Sequence, residues 1–335
     1  MPHTQRFFIL HQWLNSHAGF EQAQIEPASS DASFRRYFRT HDRFGHSYIL
    51  MDAPPTHEDV RPFLAVGKIL RDGGVLSPRV YASDIENGFL LLEDFGKRSL
   101  LDALQTMQSQ HYYNSALDTL LRMHSCQTDG LPVYDDIRLQ QEMQLFPVWY
   151  LEHQRSITPT GIESRVLVNA FDYIAQQCVS QPQVFVHRDY HSRNLMLTPQ
   201  EQLGVIDFQD AVRGPSSYDL ISLWRDSYHD VGEVAFWEWV ELYYQQAKPM
   251  GLVDASWDKF RLQVNLMSAQ RHLKVMGIFA RLYHRDGKSG YLKDLPLTAR
   301  YLDRATVDVS PLADLRLYLS DIGVFDVTTQ ATGTA

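Results

Sequence analysis

Near residue 95 the hydrophobic period of this chain changes, and that change restricts the folds open to it more than any other feature. Before it, short alternating or apolar runs at 33–40 and 47–51 are separated by the turn-like Asp42-Arg43-Phe44-Gly45, and runs at 79–82 and 88–93 follow. Alternation with period two puts every second side chain on one face, so these runs predict antiparallel strands. Phe8, Ile9, Trp13 and Leu14 at helical spacing predict a first helix over 5–17, and a second over 58–71 stops at Gly73-Gly74. Beyond residue 95, long helical segments are expected around 100–126, 139–153, 163–177, 233–248 and 259–283. Two short apolar strand runs, Val184 to His187 and Leu203 to Asp207, interrupt them. The expected fold class is α+β in two lobes: an antiparallel sheet lobe over 1–94, a mostly helical lobe over 95–328, and a tail at 329–335.

The length of 335 residues agrees with two lobes, since one core seldom grows that large. With 44% hydrophobic and 21% charged residues, the chain has enough apolar surface to fold alone. Cys126 and Cys178 form no metal-ligand spacing and are expected as buried core residues. The apolar run Phe7 to Leu10 is broken at once by His11 and Gln12, so neither a signal peptide nor a membrane span is expected, and a cytoplasmic protein is. A net charge of -9 disfavours nucleic acid as a partner. The charge is uneven, because residues 259–304 hold ten Lys and Arg against three Asp and Glu. Oligomeric state is left open.

Both apolar strands inside the helical part end on chemistry-bearing side chains. His187-Arg188-Asp189 is followed by Asn194, five residues after the Asp, and Asp207 lies thirteen residues further, in Ile206-Asp207-Phe208. Phosphoryl transfer needs an acceptor hydroxyl positioned, its proton taken, and phosphate charge offset, mostly by metal ions. In the pattern H-x-D-x-x-x-x-N the Asp accepts the proton and the Asn ligates magnesium, while a second Asp at a strand end binds metal. The corresponding residues are Asp189, Asn194 and Asp207, with ATP and Mg2+ as the expected cofactors. Each motif alone recurs by chance; their order and spacing at two strand ends fit one metal-bearing loop and hairpin.

Residues 184–225 resemble the aminoglycoside phosphotransferase/choline kinase superfamily, which shares the protein-kinase fold. The resemblance implies that Leu92, Glu93 and Asp94, within Gly88 to Gly96, form a hinge whose backbone meets the adenine edge. It also implies that His187 and Asp219 support the catalytic loop, although a helix N-cap is an equal alternative for Asp219.

The phosphate-binding parts depart from that pattern. The loop Ser29 to Arg36 has no Gly, the strand Lys position falls near Met51, and the helix Glu position near Phe63. Losing Lys and Glu together is coherent, because an unpaired buried carboxylate is costly. Arg35 or Arg36, pointing to opposite faces of a strand, is expected to replace the Lys, with Ser33 and Phe34 beside the phosphates; solvated strand positions are the alternative.

Asp31 to Phe38, Met51 to Pro55, Asp59 to Phe63, the catalytic run, and Gln270-Arg271-His272-Leu273-Lys274 with Gly277 to Phe279 are similar to the anomeric N-acetylmuramate/N-acetylglucosamine kinases of cell-wall recycling. That resemblance spans most of residues 28–302 and implies phosphorylation of a sugar C1 hydroxyl. Arg271 and Lys274, three apart on a helix, share a face, and with Arg225 they are the candidate acceptor contacts. An internal ion pair with Asp226 or Asp219 is the other reading of Arg225, and a solvated basic face that of the segment. The rival functions are another hydroxyl acceptor, such as an aminoglycoside, choline or homoserine, and a nucleotide-binding pseudokinase. The basic segment argues against a polycationic acceptor.

Overall fold

The computed structural model describes residues 3–29, 34–105 and 109–326, so Ser33 and the tail 329–335 lie outside the described residues. Two compact units emerge: one from the first 116 residues with Arg193–Asp210, the other from Leu117–Ser192 and Ala211 onward.

The first unit is built on a five-stranded antiparallel sheet: β1 (Ile25–Ser29), β2 (Arg36–His41), β3 (Ser47–Asp52), β4 (Val80–Asp84) and β5 (Phe89–Glu93), in the order β1-β2-β3-β5-β4. Strand β5 is Phe-Leu-Leu-Leu-Glu, and its apolar residues are all buried, as the inner position requires. Leu50, Phe89 and Leu91 share a core cluster with Leu10 and Leu14 of helix α1 (His3–Asn15). Helix α2 (Arg61–Asp72) buries Phe63, Val66, Gly67 and Leu70, an i, i+3, i+4, i+7 stripe, and Pro62 suits its first turn. Gly88 has φ +71, and a Cβ there would lie 1.9 Å from the Ala53 carbonyl oxygen, so only Gly fits the turn into β5.

At the end of β3 the fully buried Asp52 carboxylate accepts from Arg6 Nε at 2.7 Å and from Arg36 Nε at 3.0 Å. Arg6 also donates to the Asn87 carbonyl at 2.6 Å. Asp52→Ala would leave two guanidinium groups facing an apolar gap and should lower unfolding stability by about 3 kcal/mol in urea titrations. A loss under about 1 kcal/mol would mean that both arginines turn to solvent at little cost.

The second unit is mostly helical. One of its two-stranded pairs, Gln183–Val186 with Val212–Pro215, is antiparallel, and its long helix Trp257–Asp286 runs ~45 Å at 1.5 Å per residue. That helix stops at Gly287 in the left-handed conformation, φ +68. The single helix expected over 139–153 is two elements, an α-helix Asp136–Met143 and a wider π-helix Phe146–Gln154. Pro147 lacks the N–H that would continue the α ladder. The backbone here passes close to the long helix: a Cβ on Gly277 would lie 2.5 Å from the Leu145 carbonyl oxygen. Cys126 and Cys178 are buried in the core, and burial raises both thiol pKa values. Among the described residues, no helix is long and apolar enough to cross a membrane. The observed architecture is thus the expected α+β arrangement of an N-terminal antiparallel sheet and a helical C-terminal part.

Candidate active site

In the second unit, the buried strand Gln183–Val186 delivers its chain directly into the loop His187 to Ser192. Carboxylates hold both ends of that loop. Asp219, fully buried, accepts the N–H of His187 at 2.7 Å and of Arg188 at 3.1 Å. Arg188 has φ +76, an unfavourable conformation for a long side chain, and the paired N–H bonds to Asp219 help hold it there. Asp219 lies inside the helix Tyr218–Trp224, whose N-cap is Ser217, so it anchors the loop and does not cap the helix. Asp226 accepts from Ser192 at the other end, from N–H at 2.9 Å and Oγ at 2.5 Å, and from the Tyr228 N–H at 2.9 Å.

Between these anchors stands Asp189. Its N–H donates to His187 Nδ1 at 3.2 Å, which places the proton of a neutral His187 on Nε2. Burial raises the Asp189 pKa, but the charges of Lys274, Arg271, His191 and Arg188 outweigh it and hold the carboxyl down to about 2. It is ionised at neutral pH, as a proton acceptor must be.

Arg271 and Lys274 face the same way, one turn apart, and meet on one phenol. Arg271 donates to Tyr218 Oη at 3.1 Å and to the Arg188 carbonyl at 2.9 Å; Lys274 donates to Tyr218 Oη at 3.0 Å. Lys274 also pairs with Glu142 at 3.1 Å, and Glu142 accepts from Arg188 and Tyr134 as well. Burial raises the Glu142 pKa, yet Lys274, Arg188 and Tyr134 bring it to about 2. Arg225 belongs elsewhere: fully buried, it donates to Ser268 at 2.8 Å and Glu233 at 2.9 Å and lies 4.1 Å from the Phe236 ring centroid. Its acidic partner is therefore Glu233, neither Asp226 nor Asp219. His272 faces away from Arg271, within 3.2 Å of the Arg225 carbonyl, and burial with the Arg225 charge lowers its pKa to about 3.

In the first unit, the hairpin of Leu195–Leu197 and Leu203–Val205 brings Asn194 beside Asp207. The Ile206 N–H donates to the Asn194 carbonyl at 3.0 Å, and Asn194 Nδ2 lies 3.4 Å from Asp207 Oδ2. Asp207 takes φ +63, a conformation Asp tolerates better than most residues. Gln209 Nε2 donates to its Oδ1 at 2.9 Å, and Arg35 Nη2 lies 3.6 Å from the same oxygen. Phe208 packs against Phe63, ring centroids 4.7 Å apart, and a Cβ on Gly67 would lie 3.2 Å from its ring.

The hinge segment continues β5. Asp94 accepts from Arg39 Nε at 2.6 Å, Arg39 Nη2 at 3.0 Å, Ser47 Oγ at 2.5 Å and the Gly96 N–H at 2.9 Å. Glu93 accepts from the Arg79 N–H at 3.2 Å, and Leu92 is buried. These side chains brace the strand, whose backbone is itself engaged at 92 and 93: Leu92 stands in register with Ile49 and Val80, and the Glu93 N–H donates to the Arg79 carbonyl at 2.9 Å. Phe34 stacks on His57 at 4.4 Å, and Arg36 is turned to Asp52. Ser33 lies outside the described residues.

Asn194 and Asp207 each carry a hard oxygen, and around the Asp207 carboxylate stand Arg35 and the amides of Gln209 and Asn194, the last turning its Nδ2 toward Oδ2. A divalent cation suits that position. Among the described residues no group of three His, Cys, Asp or Glu is placed to hold a metal ion; magnesium commonly takes one or two side chains and completes its shell with water and phosphate.

Comparison with known proteins bears on the chemistry. The phosphotransferase enzyme family matches residues 24–249. The N-acetylmuramate/N-acetylglucosamine kinase of Pseudomonas aeruginosa is 43% identical over 304 residues, 90% of this chain and 89% of its own. The protein of the same name from Neisseria meningitidis is 36% identical, over 95% of this chain and 96% of its own. Among solved structures, the choline kinase of Streptococcus pneumoniae gives a TM-score of 0.61 at 15% identity, covering 92% of this chain and 99% of that one. An ADP-bound aminoglycoside phosphotransferase gives 0.57 at 15% identity, with 88% and 96% covered. At these identities the structural neighbours speak for the fold alone.

Proposed function

Because this chain belongs to the phosphotransferase enzyme family, we propose that it transfers the γ-phosphoryl group of ATP to the anomeric C1 hydroxyl of N-acetylmuramate or N-acetylglucosamine, as a cytoplasmic step of peptidoglycan recycling. The observation that carries the acceptor is the likeness, over about nine-tenths of the chain, to relatives bearing that name.

In this reaction Asp189 takes the proton of the C1 hydroxyl as its oxygen forms a bond to the γ-phosphorus, and the bond from that phosphorus to the bridging oxygen breaks to release ADP. The ionised state of Asp189 and the double anchoring of its loop support this role. Asn194 and Asp207 would hold magnesium, which offsets the charge on the phosphate oxygens when bound. The backbone of Leu92, Glu93 and Asp94 receives the adenine edge, and Phe34 borders the nucleotide. Arg271 and Lys274, which act on Asp189, are the cations suited to an acceptor carboxylate, while Arg225 frames the helix packing.

Phosphorus and proton NMR of the product from each sugar tests the reading. The expected product is an α-1-phosphate. Phosphate at another hydroxyl, or turnover only with a cationic alcohol, would refute the acceptor assignment.

A further inference from the structure

Building on the ATP-dependent reading above, we infer that Arg35 is the cation that receives the β- and γ-phosphates in place of the strand lysine, and that Arg36 has no part in it. The position where such a lysine would stand falls near Met51, which is buried in β3 opposite Tyr37 and Leu90 and whose thioether side chain has neither charge nor donor. The helix carboxylate that would orient a lysine is likewise replaced, by Phe63, whose ring packs on Phe208. That aromatic contact involves the residue next to Asp207.

A replacement cation must reach the metal-binding aspartate from the same unit. Arg36 enters β2 in register with Asp52 and binds that buried carboxylate together with Arg6. Arg39 is bound to Asp94 and the Gly96 carbonyl. Arg98 is bound to Glu201 and Tyr112. Arg35, immediately before β2, instead brings its guanidinium to 3.6 Å from Asp207 Oδ1. Its side chain is only 12% exposed although the neighbouring Phe34 is 63% exposed, and Glu58 and Asp210 add further negative potential around it. A guanidinium held there, beside the carboxylate proposed to bind metal, can turn to phosphate oxygens arriving with that metal. Its planar fork makes two parallel bonds to phosphate, which an ammonium does not.

Titration calorimetry with magnesium ATP, ADP and AMP on the full chain tests this. Arg35→Met should weaken ATP binding about tenfold to a hundredfold, two charge-assisted bonds being removed, and should leave AMP binding nearly unchanged. Arg35→Lys should recover part of the loss, and Arg35→Gln carries the test if the Met variant does not fold. Arg36→Met should lower the melting temperature yet keep the parent's ratio of ATP to AMP affinity. An unchanged ratio in Arg35→Gln or Arg35→Met, or a collapsed ratio in Arg36→Met alone, overturns the inference. A parent chain that binds none of the three nucleotides overturns the ATP reading itself and this inference with it.

Discussion

Exchange of Asp189 for Asn should lower kcat by about 10^2- to 10^4-fold while the affinity for magnesium ATP stays within a factor of about two. The reason is local. Asn has nearly the shape of Asp, and the bond that orients the loop here is made by the backbone N–H of residue 189 to His187 Nδ1, which the exchange keeps. The loop ends stay fixed by Asp219 and Asp226. What the variant loses is the carboxylate to which the proposed reaction passes the sugar hydroxyl proton, an interaction realised as the proton moves. Loss of transition-state stabilisation alone lowers kcat and kcat/KM together, and this is the pattern to look for in steady-state kinetics. Full turnover by a folded Asn variant would remove Asp189 from the mechanism. A large rise in KM with unchanged kcat would make it an acceptor contact instead.

Much of this loop was legible in the sequence because its chemistry is strung on short local spacings. Asp189 and Asn194 are five apart in sequence, Asp207 follows the next apolar strand, and Arg271 and Lys274 sit one helical turn apart. Periodicity also marked the long helix and the sheet strands, although the proline-containing β1 was not separated as a strand of its own. Partner choice was not legible. Glu142 lies in a polar stretch that reads as a solvated helix face, yet folding buries it against Arg188 and Lys274, residues far along the chain. For Arg225, an acceptor contact or an ion pair with Asp226 or Asp219 were the two readings, but those carboxylates accept backbone N–H groups of the 187–192 loop, and its acidic partner Glu233 lies beyond the intervening hairpin. The helix Tyr218–Trp224 is buried at every position, so it has no polar face to reveal a period.

The basic residues of the long helix then acquire a second consequence, measurable through pH. Asp189 is held down to about 2 against the effect of burial, with Lys274 first among the charges that lower it and Arg271, His191 and Arg188 behind. A carboxyl whose folded pKa lies below its unfolded value, near 3.9, contributes stability that is fully present above that value and is lost as pH falls through about 2. Over the range where kinetics are practical the parent enzyme should therefore show no acid limb arising from Asp189. Lys274→Met removes the leading charge and leaves burial less opposed, so the Asp189 pKa should rise from about 2 to between about 3 and 5, and an acid limb should enter kcat/KM in that range. Glu142 keeps Arg188 and Tyr134 as partners in this variant, which favours survival of the fold. Lys274→Arg restores the charge and should push the limb back down. A merely structural Lys274 would lower stability without moving the profile, so parallel pH curves for the parent and the Met variant, down to the pH at which each unfolds, would detach Lys274 from the ionisation of Asp189.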